Sequence, residues 1–198
     1  EDIPMDENAI ELFKNSIKYA DVPEEIIEKY RGKVSDDIIS LWREYGFCTT
    51  EDGYFKLVNP DDYIDIIGEI YGGEHDNVAV TDEAAVVFAT GMADVILYDN
   101  DGFFIYVNVR HEKCGAIGKN FTVTMRRMRT ADFRHVVLSW EPYEDAVKKL
   151  GVPTYEECFA YEPLLSLGGN ESVDNLRKVN LAVHLDIVSQ MQEIINFR

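Results

Sequence analysis

The first 46 residues carry apolar positions at helical spacing, and they predict helices before any strand begins. Ile10, Phe13 and Ile17 recur three or four residues apart, which favours an amphipathic helix over residues 6–20. Pro23 suits the first turn of a second, shorter helix, because its missing N–H is not needed there.

A third helix is expected between Ser35 and Gly46. Serine caps a helix start well, and glycine readily adopts the positive φ at which many helices end. The apolar residues between them lie on one stripe, with Trp42 as the expected core anchor; they are Ile38, Leu41, Trp42 and Tyr45.

The period changes to that of strands after residue 54. Apolar and β-branched runs are separated by short turn sequences, of which Asp101-Gly102 is typical of a hairpin. The expected strands are Tyr54–Val58, Ala85–Thr90, Asp94–Tyr98, Phe103–Val109 and Phe121–Met125. These runs predict an antiparallel meander over residues 54–125, with the helices packed on one face.

A further helix is expected to start at Asn59-Pro60, between the first two of these strands. Its inner face would carry Tyr63, Ile66, Ile67 and Ile70, and its outer face Asp62, Asp65 and Glu69. An acidic stripe of this kind is usually the solvated face of a helix. Here it continues along the chain, which extends the expected acidic surface through Glu74, Asp76, Asp82 and Glu83.

The C-terminal part is predicted to be small and mainly helical, and to dock on the sheet. Residues 158–169 are apolar and aromatic but contain Pro163 and Gly168-Gly169, so we expect a buried extended segment or turn. Residues 173–179 favour a short helix. A terminal helix over Leu181–Phe197 is expected to bury one face, formed by Val183, Ile187, Met191 and Ile194. The fold class is therefore α+β, with domains at 1–120 and 121–198.

Net charge is the bulk property that indicates most about possible partners. The net charge is −18, and residues 1–100 hold 24 of the 37 acidic and seven of the 19 basic residues, a net of −17. Such a field favours a basic protein partner and disfavours nucleic acid. A surface that serves only solubility is the simpler alternative. The basic residues from Arg110 to Arg134 are expected to pair with the acidic half.

Candidate catalytic and metal-binding groups are sparse. Three dispersed cysteines form no disulfide framework, and they are typical of a reducing cytosol. The histidines lack metal-ligand spacing, and no glycine-rich phosphate loop occurs, so no cofactor or metal is expected. His111 and Cys114 lie close in sequence, which leaves a small cytosolic enzyme with a Cys–His nucleophile as an alternative.

Several short motifs, in this order, resemble a GAD-like domain. They are Trp42-Arg43-Glu44-Tyr45-Gly46, Asp52-Gly53, Val58-Asn59-Pro60 and Ala89-Thr90-Gly91-Met92-Ala93-Asp94. In the last motif, Met92-Ala93 stands where the family tends to have a bulky residue and glycine. Leu150-Gly151, residues 158–169 and the helix carrying His184 resemble the small domain that follows in type VI secretion DNase immunity proteins.

The resemblance implies a non-enzymatic bacterial protein of the cytoplasm. It would bind a toxic effector, usually a nuclease, and hold it inactive by covering its basic DNA-binding or active-site surface. We expect no membrane and no direct nucleic-acid contact. The candidate contact residues are the acidic surface with Tyr63 or Tyr71 as an aromatic anchor; they are Asp61, Asp62, Tyr63, Asp65, Glu69, Tyr71, Glu74, Asp76 and Glu83. An adaptor module without a toxin partner is a third alternative.

Overall fold

A computed structural model describes residues 4–66 and 84–191. Within them, seven strands form one antiparallel sheet whose strand order follows the chain, with β1 and β7 at its edges. The strands are β1 (Ile17–Ala20), β2 (Phe47–Thr49), β3 (Phe55–Leu57), β4 (Ala85–Thr90), β5 (Val95–Tyr98), β6 (Phe104–Asn108) and β7 (Lys113–Gly118). The predicted α+β class and antiparallel meander are confirmed.

Helices surround this sheet, and a small hairpin completes the C-terminal part. The helices are α1 (Glu7–Phe13), α2 (Glu24–Tyr30), α3 (Asp36–Tyr45), α4 (Phe121–Arg129), α5 (Ala131–Val136), α6 (Tyr143–Leu150) and α7 (Leu181–Met191). The hairpin pairs β8 (Glu157–Tyr161) with β9 (Leu176–Asn180) in antiparallel register. Short 3₁₀ turns cover Pro60–Tyr63, Leu165–Leu167 and Val173–Asn175.

Helix α3 begins and ends where its sequence predicts. The Ser35 hydroxyl accepts a hydrogen bond from the Ile38 N–H, and Gly46 ends the helix at a φ of +68°. Its N–H donates to the Trp42 carbonyl at 3.0 Å. Trp42 is buried, as predicted.

The prediction of one helix over residues 6–20 is wrong. Helix α1 ends at Phe13, and the chain then turns into β1, where Ile17 pairs with Thr49 of β2. Strand pairing therefore overrides helical spacing. Ile10 and Ile17, both predicted for the buried face, are exposed.

The predicted strand over Phe121–Met125 is also wrong, because these residues begin α4. The Asn120 carboxamide accepts from the Val123 N–H at 2.9 Å and caps the helix. Phe121, Met125 and Met128 then fall on one buried face at helical spacing.

Two predictions fail in the C-terminal part. Residues 173–179 form a 3₁₀ turn followed by β9 instead of a helix. Helix α7 buries Leu181, Leu185 and Val188, whereas its predicted inner residues Val183, Ile187 and Met191 are exposed. Ile194 lies outside the described residues.

The apolar stretch over residues 158–169 is only partly buried. Its first residues, up to Tyr161, belong to β8 and are buried, but Leu167 in the following turn is 59% exposed. The Gly169 N–H donates to the Leu164 carbonyl at 3.0 Å and closes that turn.

The large sheet is buried on both faces, whereas the sequence pattern predicted helices on only one face. One core joins the N-terminal helices and α4 to residues such as Phe55 and Leu57. The other joins Val86 and Val95 to Leu185 of α7. Every residue of β4 is buried, as expected for a strand that has packing partners on both sides.

Gly91 is the point where the C-terminal half meets the turn between β4 and β5. Its N–H donates to the Tyr54 carbonyl at 2.6 Å, and its carbonyl accepts from the Phe159 N–H at 2.7 Å. A Cβ at this position would lie 2.7 Å from Cε2 of Tyr143, so only glycine fits. Two residues later, Ala93 adopts a φ of +61°, a conformation that glycine adopts at lower cost.

A buried ion pair follows this turn. Arg110 donates to Oδ2 of Asp94 through Nη2 at 2.7 Å and Nε at 3.2 Å, and both side chains are almost fully buried. The other Asp94 oxygen accepts from the Val109 N–H at 2.9 Å. Arg110 Nη2 also reaches the carbonyls of Leu138 and Ser139. The pair therefore joins the start of β5, the end of β6 and the segment before α6.

Lys56 is a second buried cation, in the middle of β3. Its Nζ donates to the Thr154 carbonyl at 2.6 Å and connects the sheet to the chain that enters β8. Burial lowers the pKa of Lys56 from 10.5 to about 8. The Thr154 carbonyl also accepts from the Glu157 N–H, so it keeps a partner without the lysine.

Replacing Arg110 with methionine is expected to lower the free energy of unfolding by about 3–5 kcal/mol, because the Asp94 carboxylate stays buried without its counter-ion. Urea unfolding measures this change. Lys113→Met, which removes an exposed cation nearby in the chain, should change stability by less than about 0.5 kcal/mol. The double variant Asp94→Asn/Arg110→Met should recover part of the loss. Equal stability of Arg110→Met and Lys113→Met would contradict a stabilising role for the Asp94–Arg110 pair.

Lys56→Met is expected to change how stability depends on pH. The folded state lowers the pKa of Lys56, so it binds this proton less tightly than the unfolded chain does, and the lysine costs most stability below about pH 8. The unfolding free energy of the natural protein, minus that of Lys56→Met, should therefore rise by about 2–3 kcal/mol between pH 8 and 10.5. The unfolding free energy of the natural protein, minus that of Lys113→Met, should not change over this pH range. A flat difference for both would show that Lys56 keeps an ordinary pKa.

Candidate functional site

Four of the nine predicted contact residues fall in the part of the chain that the structure describes. Asp61, Asp62 and Tyr63 lie in the 3₁₀ turn that begins at Pro60, and Asp65 follows directly. The turn starts as predicted, with the Asn59 side chain accepting from the Asp61 N–H. The other five predicted residues are outside the described ranges; they are Glu69, Tyr71, Glu74, Asp76 and Glu83.

Asp61 is engaged within the protein. Its Oδ1 accepts hydrogen bonds from Lys29 Nζ and from the Tyr30 hydroxyl, both at 2.6 Å. Partial burial opposes its ionisation, but these two hydrogen bonds outweigh burial and lower its pKa. Asp61 therefore attaches the turn to α2, and Lys29 neutralises much of its charge locally.

Asp62 and Asp65 are exposed. Partial burial and the neighbouring charge of Asp61 raise the pKa of Asp62. No ion pair within residues 4–66 and 84–191 engages either carboxylate.

Tyr63 does not present its ring at the surface. It is 5% exposed and packs in the core between the sheet and α7 with Val58 and Ile66. The structure therefore corrects its prediction as an aromatic anchor and assigns it to packing, in agreement with its place on the predicted inner face of the helix.

An exposed aromatic residue does lie beside this turn, and the sequence analysis missed it. Tyr19 of β1 is 54% exposed, and its ring stacks on Tyr155 with centroids 4.2 Å apart and planes 13° from parallel. Its hydroxyl donates to Oε1 of Glu156 at 3.0 Å. Tyr19 was placed in the predicted helix over residues 6–20, and so its position at a sheet edge could not be seen.

Tyr155 brings the acidic turn to this aromatic pair. Its hydroxyl lies near the backbone of Asn59, the residue that caps the turn carrying Asp62. The hydrogen bond to Glu156 raises the pKa of Tyr19, and the charge of Asp62 adds to this. Burial raises the pKa of Tyr155, and Asp62 adds to that too. We call Tyr19, Tyr155, Asp62 and Glu156 the aromatic–acidic patch.

The predicted pairing of the basic region with the acidic half is confirmed for two arginines. Arg110 pairs with Asp94, and Arg134 Nη1 lies 3.2 Å from Oδ2 of Asp52. Arg134 also lies over the rings of Phe55 and Trp140, at 5.1 and 4.9 Å from their centroids. These cations stabilise the fold.

His111 and Cys114 do not form a nucleophile–base pair. The two ring nitrogens of His111 contact Oδ1 of Asn108 and Oε1 of Glu171, at 3.1 and 2.6 Å. Cys114 is buried, and burial raises the pKa of its thiol to about 11, which disfavours the reactive thiolate. The geometry gives this enzymatic alternative no support.

No group of three or more His, Cys, Asp or Glu side chains among residues 4–66 and 84–191 is placed to hold a metal ion. Within the same ranges, no helix has the length and apolar character needed to cross a membrane.

Comparison with solved structures identifies a close match in fold. The crystal structure of Atu4351 from Agrobacterium tumefaciens superimposes with a TM-score of 0.81 at 17% sequence identity, covering 94% of this chain and 89% of that one. At this identity the match concerns the fold alone. No curated protein sequence matches the chain significantly.

Two family profiles match adjacent parts of the sequence. Residues 5–111 match the GAD-like domain, and residues 120–192 match the C-terminal domain of the type VI secretion (T6SS) immunity protein Tdi1. The second match indicates an immunity protein of type VI secretion. The domain boundary at residue 120 stays a prediction. Because the first match spans more than half of the sequence, and the second follows it in the predicted order, the chain belongs to the GAD-like domain family and carries the Tdi1-type immunity domain at its C-terminal end.

Proposed function

We propose that this protein neutralises a type VI secretion effector with nuclease activity, by binding it in the bacterial cytoplasm and covering its basic surface. The observation that carries the proposal is the match of residues 120–192 to a T6SS immunity domain. The charge of −17 over residues 1–100 adds to it, since a nuclease surface that binds DNA is basic and would attract such a partner.

Inhibition by occlusion needs a complementary surface and no catalytic group. Asp62 and Asp65 supply exposed carboxylates with no internal ion pair among the described residues, while Asp61 is partly neutralised by Lys29. We therefore assign the acidic contact to Asp62 and Asp65 before Asp61. The acidic residues that follow, at 69, 74, 76 and 83, remain candidates for the same surface.

Electrostatic attraction of this kind acts mainly on the rate of association. Salt screens it, because the Debye length falls from about 30 Å at 0.01 M to about 8 Å at 0.15 M. The proposal therefore predicts fast, salt-sensitive association with the effector's nuclease domain.

The double variant Asp62→Lys/Asp65→Lys is expected to slow association about tenfold at low salt and to flatten its salt dependence. The partner in this measurement is a catalytically inactive variant of the proposed effector's nuclease domain, and the readout is stopped-flow or biolayer interferometry over a salt series.

The matched control is Glu144→Lys/Asp145→Lys, which makes the same charge change at two exposed positions of α6. It should slow association far less. If both double variants slow association equally, the acidic turn contributes only through the overall negative charge of the protein. If the natural protein does not bind the nuclease domain, the proposed function is wrong, and an adaptor role without a toxin partner becomes the better account.

A further inference from the structure

The aromatic–acidic patch has the features of a prepared contact site. Tyr19 exposes one ring face at the edge of the sheet, while Tyr155 covers the other face at a centroid distance of 4.2 Å. The hydrogen bond to Glu156 holds the hydroxyl end of the ring. A ring held at both its face and its tip loses little conformational entropy on binding, which favours affinity.

Tyr155 makes the patch rigid from below. It is largely buried and packs against both hydrophobic cores, on the two sides of the large sheet. Its hydroxyl lies near the Asn59 backbone, at the start of the turn that carries Asp62. Glu156 is held through its own backbone, since its carbonyl accepts from the Leu181 N–H at 2.8 Å.

The chemistry of the patch selects a cation. The open face of a tyrosine ring attracts an ammonium or a guanidinium through its quadrupole. Glu156 binds the hydroxyl of that ring, and the negative charge of Asp62 also acts on it. Neither carboxylate forms an ion pair within residues 4–66 and 84–191. Oε2 of Glu156 is not used by Tyr19, so it can accept a charge-assisted hydrogen bond from an arginine.

We propose that Tyr19, Tyr155, Asp62 and Glu156 form a receptor for an arginine or lysine side chain on the surface of the nuclease effector. The proposal rests on the proposed function and adds to it the central anchor of the interface. Tyrosine and arginine are enriched among binding hot spots, whereas carboxylates at an interface mainly steer the encounter.

Both matched domains contribute to this receptor. Tyr19 and Asp62 belong to the part that matches the GAD-like domain, and Tyr155 and Glu156 belong to the Tdi1-type part. The receptor is therefore complete only when the two parts are docked.

Tyr19→Ala is the direct test. Its expected effect is a rise of about 10- to 100-fold in the Kd for a catalytically inactive variant of the proposed effector's nuclease domain, mostly through faster dissociation. Tyr19→Phe keeps the ring and should change the Kd by less than about threefold. Calorimetric titration measures both, and thermal unfolding checks that the variants are folded.

Leu167→Ala is the matched control, because Leu167 is 59% exposed and lies beyond the far end of β8 from Glu156. The strand between the two positions is about 16 Å long. This control should leave the Kd within about twofold.

Glu156→Gln tests the charge without removing the acceptor for Tyr19. It should raise the Kd about fivefold and reduce the salt dependence of binding. If the natural protein binds and inhibits the nuclease while Tyr19→Ala and Glu156→Gln bind equally well, the receptor is wrong and the proposed function stands. If the natural protein does not bind at all, the proposed function itself fails.

Discussion

The buried ion pair between Asp94 and Arg110 links the large sheet to the segment that leads into α6. It follows the turn at which Gly91 receives the Phe159 N–H, and its arginine also binds the carbonyls of Leu138 and Ser139. A buried cation needs several acceptors to offset its desolvation, and these come from both parts of the chain. The pair therefore sets the position of the C-terminal part relative to the sheet.

This docking has a direct consequence for binding. Lys56 and Gly91 connect the sheet to the chain around β8, while Tyr155 packs against both cores. The residues on either side of the junction consequently hold fixed relative positions. A surface assembled across two rigidly docked parts can present an aromatic ring and carboxylates in one geometry, which favours selectivity for one partner over other basic proteins.

The sequence predicted the features that local chemistry determines. Ser35 and Gly46 delimit α3, Asp101-Gly102 forms the turn between β5 and β6, and the run from Ala85 to Thr90 forms β4 with the predicted bounds. These residues act through caps, turns and β propensity, which depend little on distant neighbours.

The incorrect predictions concern features that depend on residues distant in the sequence. β1 forms because Ile17 pairs with Thr49, more than thirty residues away. No local sequence pattern predicts that partner. The buried face of α7 is likewise chosen by what it packs against, so Leu185 is buried and Ile187 is exposed. Prediction of the candidate site from sequence was limited in the same way. The acidic turn could be predicted from Asn59-Pro60, whereas Tyr19 became visible only once β1 was known to be a strand beside Tyr155.

We propose that this protein inhibits a nuclease by occupying the surface that binds DNA. The decisive measurement is a titration of DNA cleavage by the active nuclease domain of the proposed effector, at nuclease concentrations well above the Kd. Cleavage should fall linearly to zero at one equivalent of protein, and added DNA should slow the onset of inhibition. Cleavage that persists in the presence of excess protein would contradict it.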